Sequence, residues 1–406
     1  MMNNKVNNVP KLRFKEFSGE WKLEKLGKFL KEYKEKILVS KNDIPVYSSS
    51  RNGLQPQKDY FDDYEIKNES SYGVVPKGYI TYRHMSDDNV FKFNINNFLD
   101  NIAVSKEYPV FSAVNLNSYF LLYKLNFGKD FKKFAIQQKL GGTRTRLYYN
   151  RLCEWVTFFT SLKEQQKIAE FLSSVDNKLQ ALKQKHQLLQ QYKKGMMQKL
   201  FTQQIRFKDE NGQNYPEWKP STLGNVTSLI TNGLSLEQNS EQKGYKVTRI
   251  ETISDGKVNI NKVGYVLTEK EISNYKLDKG DMLFSNINSL SHIGKIAYVD
   301  KDYPLYHGMN LLRIVIDKKY SSLFYFYLLT ANKYKRNFET IANQAVNQAS
   351  INQTELKKTV VPISCIKEQQ KIADFLSAID QKIEGVTKQI EQTALFKKGL
   401  LQQLFV

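Results

Sequence analysis

Residues 163–201 read KEQQKIAEFLSSVDNKLQALKQKHQLLQQYKKGMMQKLF, and residues 367–405 read KEQQKIADFLSAIDQKIEGVTKQIEQTALFKKGLLQQLF. The offset is 204 without a gap, and 18 of the 39 positions are identical. A repeat of this length makes the chain two similar halves, each closing on the same long segment. Apolar positions recur four and three residues apart. The first copy has Ile168, Leu172, Val175, Leu179, Leu182, His186, Leu189, Lys193, Met196 and Leu200; the second has Ile372, Leu376, Ile379, Ile383, Val386, Ile390, Thr393, Lys397, Leu400 and Leu404. A heptad held over five repeats predicts two helices with a narrow seam, each roughly 57 Å long at 1.5 Å per residue. The nearest partner for either seam is the other copy, so Ile168, Leu172, Val175, Leu179 and Leu182 on one helix and Ile372, Leu376, Ile379, Ile383 and Val386 on the other are expected to line the helix–helix seam.

The helix ends carry further signals. Ser161 followed by Glu164 fits a capping box. Cys365 replaces Ser161 in the second copy, so that cap either weakens or moves to Ser364. Gly195 and Gly399 sit near the two C-termini, where glycine either frays the helix or permits close backbone approach.

Working outward, a second repeat opens each half. Leu12-Arg13-Phe14-Lys15 returns as Ile205-Arg206-Phe207-Lys208, and Trp21 with Leu26-Gly27 returns as Trp218 with Leu223-Gly224. The second copy adds an insertion containing Asn211-Gly212. This divides the chain into a first domain (1–160), a first long helix (161–203), a second domain (204–362) and a second long helix (363–406). The two middles diverge. In the first, Ile44–Tyr47, Gly73–Pro76 and Tyr79–Tyr82 are short strand-like runs, and residues 118–125 fit a strand or a helix. In the second, strands are expected over 246–250, 282–284, 293–299 and 311–316, with one helix over 323–338. The fold class is mixed α/β, of the α+β kind, without a βαβ rhythm. A faint match lays Lys77–Arg83 on Lys279–Ser285: a turn, a strand, then polar residues that differ between the halves.

The formal net charge is +20. Residues 1–160 hold +9, 161–200 hold +5, 201–362 hold +5 and 363–406 hold +1. Such an excess points to a polyanionic partner, nucleic acid before a membrane surface. No apolar run is long enough to span a bilayer, and residues 1–10 lack the apolar centre of a signal peptide, so a cytoplasmic location is expected. Cys153 and Cys365 stand alone, which supports neither a disulfide framework nor a zinc site.

Catalytic signatures are missing. His84, His186, His292 and His307 have no ligand spacing. There is no GxxxxGK phosphate loop, no Gly-rich cofactor turn, and no Asn/Asp-Pro-Pro-aromatic motif of the kind found in amino-methyltransferases. Asp62-Asp63 and Asp87-Asp88 read as loop charges. The chain is read as having no catalytic or metal-binding residue of its own.

Lys-Glu-Gln-Gln-Lys-Ile starting a long heptad helix, Lys-Lys-Gly near its end, and two copies separated by dissimilar aromatic-rich segments resemble the specificity subunit of type I restriction–modification systems. The resemblance spans essentially the whole chain, and the paired helices are its most specific part. It implies two target-recognition domains, each reading one half of a split, asymmetric double-stranded DNA site. It also implies an internal pseudo-twofold repeat whose helices pack as an antiparallel coiled coil between them. Two methyltransferase (modification) subunits and restriction/translocase subunits would be the protein partners. S-adenosylmethionine, ATP and Mg²⁺ would belong to those partners, with no cofactor in this chain.

On that reading, lysines and arginines set register on phosphates, and Asn, Gln, Ser and Arg tips read base edges. The candidates are Arg83, His84 and Ser86 with Thr143, Arg144 and Arg146 of the 141–146 segment Gly-Gly-Thr-Arg-Thr-Arg in the first half. In the second half they are Asn286, Asn288 and Ser289 with Gln344, Asn347, Gln348 and Ser350. For any one of them, a solvated loop side chain is the plain alternative. For the chain as a whole, the rival is a coiled-coil scaffold without DNA readout, which leaves the basic, divergent middles unexplained.

Overall fold

In a computed structural model, the described residues are 8–38, 43–60, 71–139, 143–254, 256–290, 292–309, 311–345 and 348–406. The chain forms two compact units. One comprises residues 1–183 with 388–406, the other residues 184–387. The long helices Leu162–Phe201 and Ile366–Gln403 each contribute to both.

In the first unit, strands Leu30–Glu32, Val110–Ala113, Ile80–Tyr82 and Phe93–Ile95 pair in that order, all antiparallel. A second sheet joins Asn101–Ser105, Ser71–Pro76 and Lys36–Leu38. The ambiguous segment at 118–125 is a helix, Ser118–Phe127, apolar nearly all round and buried on most sides. Asn117 starts it by accepting from the backbone N–H groups of Tyr119 and Phe120, the usual solution for orphan donors at a helix N-terminus.

The second unit repeats this plan. Thr227–Asn232, Leu312–Ile316, Met282–Phe284 and Ile296–Tyr298 pair antiparallel in the matching order. Two further short strands, Lys257–Val258 and Ile253–Ser254, extend that sheet. The turn before each matched strand holds a glycine at positive φ, Gly78 at +86° and Gly280 at +101°, which an L side chain disfavours. So Lys77–Arg83 and Lys279–Ser285 occupy equivalent places.

The helix expected over 323–338 is two helices, Ser322–Thr330 and Asn332–Ile341, broken at the extended residue Ala331. The first is apolar all round, the second amphipathic with Tyr334 and Phe338 buried. A change of direction lets both bury their apolar surface, and the Thr330 hydroxyl, which donates to Phe326 O, closes the first helix.

Each unit holds the start of one long helix antiparallel to the end of the other. In the first unit, Ile168, Leu172 and Val175 share one core with Leu400 and Leu404. In the second, Ile372, Leu376 and Ile379 share a core with Leu200. The rest of the seam, including Leu179, Leu182, Ile383 and Val386, is half-buried or buried.

The polar contacts repeat as well. Lys397 Nζ lies 2.5 Å from Asp176, which also accepts from Tyr123 Oη at 2.8 Å. Lys193 Nζ lies 2.6 Å from Asp380, which accepts from Tyr327 Oη at 2.7 Å. Every member of the first set is displaced by 204 from its counterpart, with the two helices exchanging roles.

The Lys-Glu-Gln-Gln start is a clamp. Buried Glu164 takes two hydrogen bonds from Arg13, at 2.8 and 2.7 Å, and Glu368 takes two from Arg206, at 3.0 and 2.9 Å. Gln165 accepts from Asn117 N and donates to Thr160 O; Gln369 accepts from Ser321 N and donates to Ser364 O. The helix start therefore fixes both the opening segment and the first turn of the buried helix. The capping box is only half made. Glu164 N donates to Ser161 Oγ at 3.3 Å, but the Glu164 carboxylate serves Arg13 and the Thr160 hydroxyl. Nor does the cap move to Ser364, whose buried Oγ has no partner. The Leu-Gly pair has a packing reason: a Cβ on Gly27 would lie 3.0 Å from Cys153, and one on Gly224 would lie 3.2 Å from Lys357. Gly195 and Gly399 sit within continuous helix, with open space where a Cβ would project.

Candidate nucleic-acid interface

The two strands that follow the glycine turns are wholly buried, Ile80–Tyr82 and Met282–Phe284. Each then passes into a short ribbon, and the ribbons carry the polar candidates.

In the first unit Met85–Ser86 pairs antiparallel with Thr145–Arg146, Ser86 opposite Thr145 and Met85 opposite Arg146. Leu147 N donates to His84 O at 2.8 Å, and Tyr82 Oη donates to Leu147 O at 2.9 Å. The fold thus brings Arg83, His84 and Ser86 together with Thr143, Arg144 and Arg146, about 60 residues away in sequence.

Their environments differ. Arg83, Thr143, Arg144 and Arg146 are exposed. Arg144 Nε donates to Asp87 at 2.8 Å, while Arg51 donates to Asp88 at 2.6 Å. Asp87 and Asp88 are loop charges, as read from the sequence, but they hold arginines at this surface. Ser86 is buried and donates to Asp88. Its three hydrogen-bonded neighbours, Arg51, Ser86 and the Val90 N–H, draw the Asp88 carboxyl below its usual range, Arg51 most strongly.

His84 is only 6% exposed and its ring stacks against Tyr148, with centroids 5.5 Å apart and planes at 27°. Burial pushes its pKa down, favouring the neutral ring, and Nδ1 has no hydrogen-bond partner. Gly141 and Gly142 lie outside the described residues.

In the second unit Ile287–Asn288 pairs with Gln348–Ser350, and Asn343–Ala345 forms a third strand. Ile351 N donates to Asn286 O at 2.9 Å, the counterpart of the Leu147–His84 bond. Asn286, at 7% exposure, is buried with Oδ1 unpartnered, just as His84 Nδ1 is. Asn288 donates from Nδ2 to Ser285 Oγ at 3.2 Å and accepts from Ser289 N at 2.8 Å. Ser289 is exposed and its Oγ lies 3.0 Å from His292 Nδ1. Gln344 is exposed on the third strand, and Gln348 contributes backbone to the middle one. Asn347 lies outside the described residues.

So in both units a short strand after the matched buried strand pairs with a later one, and the second unit adds a third strand to that ribbon. One displays arginines, the other amides and hydroxyls. Among the described residues, no group of three or more His, Cys, Asp or Glu side chains is arranged to hold a metal ion, and no helix is long and apolar enough to cross a membrane. His307, buried and bonded to Leu311 O with its pKa pushed down to about 4, is a core residue.

The family model for the type I restriction modification DNA specificity domain matches residues 18–191 and again residues 215–393, one copy over most of each unit. The chain belongs to this family. Among curated members, a "Putative type I restriction enzyme MjaX specificity subunit" from Methanocaldococcus jannaschii is 45% identical over 202 residues, 49% of this chain and 48% of that protein. The type I restriction enzyme MjaVIII specificity subunit of the same organism is 28% identical over 255 residues, covering 60% of this chain and 59% of that one. The chain thus matches 48% and 59% of the length of these two relatives. The crystal structure of a type I restriction–modification S subunit from M. genitalium shares the fold, with a TM-score of 0.62 at 16% identity over 98% of this chain and 99% of that one.

Sequence reasoning missed Tyr148 and Arg51. Tyr148 lies two residues past the Thr-Arg-Thr-Arg run, after Leu147, and an aromatic beside a basic cluster was a readable signal. Arg51 reaches the ribbon only through the fold.

Proposed function

We propose that this chain is the DNA-recognition subunit of a type I restriction–modification complex. Each unit reads one half of a split, asymmetric double-stranded site with its ribbon, and the chain also scaffolds the complex. The observation that carries this reading is the double match of the DNA specificity domain, joined to two ribbons that follow matched buried strands and carry different polar tips.

The chemistry fits the two roles. Arg83, Arg144 and Arg146 suit phosphate oxygens and the O6/N7 edge of guanine. Asn288, Ser289 and Gln348 suit adenine or backbone contacts, with Asn347 as a further candidate. The buried His84, Ser86 and Asn286 shape the ribbons, and exposed Thr143 beside Arg144 suits a backbone contact to DNA. The charge of +20 adds a salt-dependent, sequence-independent affinity. Two methyltransferase subunits and the restriction/translocase subunit are the protein partners. S-adenosylmethionine, ATP and Mg²⁺ reside on them, so this chain supplies recognition, and its setting is the cytoplasm.

Mapping methylated bases in DNA from cells that co-express the chain with its cognate methyltransferase subunit tests this. A split motif with a methylated adenine in each half is expected. An active complex that methylates without a split motif would reduce the chain to a scaffold. Within the site, Arg144→Ala is expected to weaken DNA binding by roughly 1–3 kcal/mol, as the arginine exchanges Asp87 for DNA. Unchanged affinity removes Arg144 from the interface.

A further inference from the structure

Tyr148 occupies the N-cap place of the short helix Tyr149–Cys153, where its side chain makes no capping bond. Its counterpart in the second unit, Asn352, caps the helix Gln353–Lys357 by accepting from Glu355 N. Asparagine is among the best residues at this position and tyrosine is not. The first unit therefore gives up a cap here, and the packing offers no compensation in burial, since Tyr148 is 51% exposed. What the tyrosine gains is orientation. Its ring lies on the buried imidazole of His84, which stands where the second unit has Asn286. Both members of the pair differ together between the units, His84 with Tyr148 against Asn286 with Asn352. Arg83 directly precedes His84 and Arg146 lies two residues before Tyr148; both are exposed and carry no ion pair among the described residues.

We infer that Tyr148 is a specificity-determining residue of the first unit, held by His84 so that its ring meets a base of that unit's half-site. This rests on the reading of the chain as a DNA-recognition subunit. Tyrosine suits the task because it presents a large apolar face at the cost of fixing only two torsions, with a hydroxyl that can donate to a base-edge acceptor. The second unit has no equivalent, its asparagine being committed to the cap, so the two half-sites are read by different chemistry at the same structural position.

The test is made in the assembled complex, on the split site mapped for the wild type. Tyr148→Asn copies the second unit. It is expected to leave the melting temperature unchanged or raise it by about 2–4 °C through the restored cap. It should also lower affinity for the wild-type site at least tenfold, and relax base preference at positions in one half-site only. Tyr148→Phe, which keeps the ring, is expected to retain affinity within threefold. Tyr148→Asn binding within twofold of wild type, with both half-site preferences intact, would overturn the inference while leaving the DNA reading standing. So would a loss of affinity accompanied by a fall of more than about 5 °C in melting temperature, because Tyr148 would then be structural. A wild-type complex with no split site would overturn both.

Discussion

At the start of each long helix a buried glutamate takes a two-point bond from an arginine of the opening segment, Arg13 in one unit and Arg206 in the other. At the ribbons, by contrast, His84 and Tyr148 stand where the other unit has Asn286 and Asn352, and arginines stand against amides. The difference separates two demands. The contacts that fix the helices share their arginine–glutamate core, because each unit borrows the end of the other half's helix, although Glu368 also accepts from Trp218 Nε1 and Glu164 from the Thr160 hydroxyl. On the proposed function, contacts at the ribbon tips differ because two identical tips would read the same half-site twice.

The largest expected effect breaks the shared part. Glu164→Ala takes the buried carboxylate from a part-buried Arg13 that still donates to Ser18 O and Gly19 O, so the loss is expected at about 3 kcal/mol, the lower end for a broken buried pair. Glu368→Ala should cost nearly the same. Denaturant unfolding of both variants measures this, and a difference above about 2 kcal/mol would mean that the two clamps are not equivalent.

A second prediction uses a place where the units differ inside the core. Lys124 is fully buried among Trp21, Trp155, Phe159 and Phe405, donates to Phe158 O, and lies 3.8 Å from Asp130; Leu328 takes its place in the second unit. Desolvation outweighs these contacts, pushing its pKa from 10.5 down to about 8. The folded state therefore binds fewer protons than the unfolded state between pH 8 and 10.5, so wild-type stability rises with pH across that window. At neutral pH the full penalty applies, about 3 kcal/mol. Lys124→Leu is expected to stabilise the protein by about 2 kcal/mol at pH 7, after loss of the Phe158 bond, and the gain should shrink toward pH 10.5. A gain that does not depend on pH would place its origin in packing.

The smallest effect sharpens the equivalence of the helix pairs. Double-mutant cycles on Asp176 with Lys397 and on Asp380 with Lys193 should each give a coupling of about 1 kcal/mol, since these partly exposed pairs are screened by solvent. Couplings that differ by more than the whole value would show that the matching geometry hides unequal energetics.

The helices and their seam were legible because a heptad is a local, periodic signal and was written twice. The job of Lys-Glu-Gln-Gln was not, although the motif was plain: Glu164 meets Arg13 across 151 residues, and nothing local marks that pairing. The shared four-strand order stayed hidden because several of its strands are only three residues long and the two middles differ in sequence. The match of Lys77–Arg83 with Lys279–Ser285 was its one trace. At the ribbons, residue types singled out two segments of each half, and the fold pairs those segments with each other. Whether His84, Ser86 and Asn286 turn inward depends on how a buried strand passes into its ribbon, which composition does not encode.

The most direct measurement is a methylation map of the complex after residues 205–362 are exchanged for the corresponding segment of another specificity subunit. The account predicts that one half of the split motif changes to the donor's sequence while the other half stays as it was. A motif in which both halves change, or neither does, would contradict the assignment of one half-site to each unit.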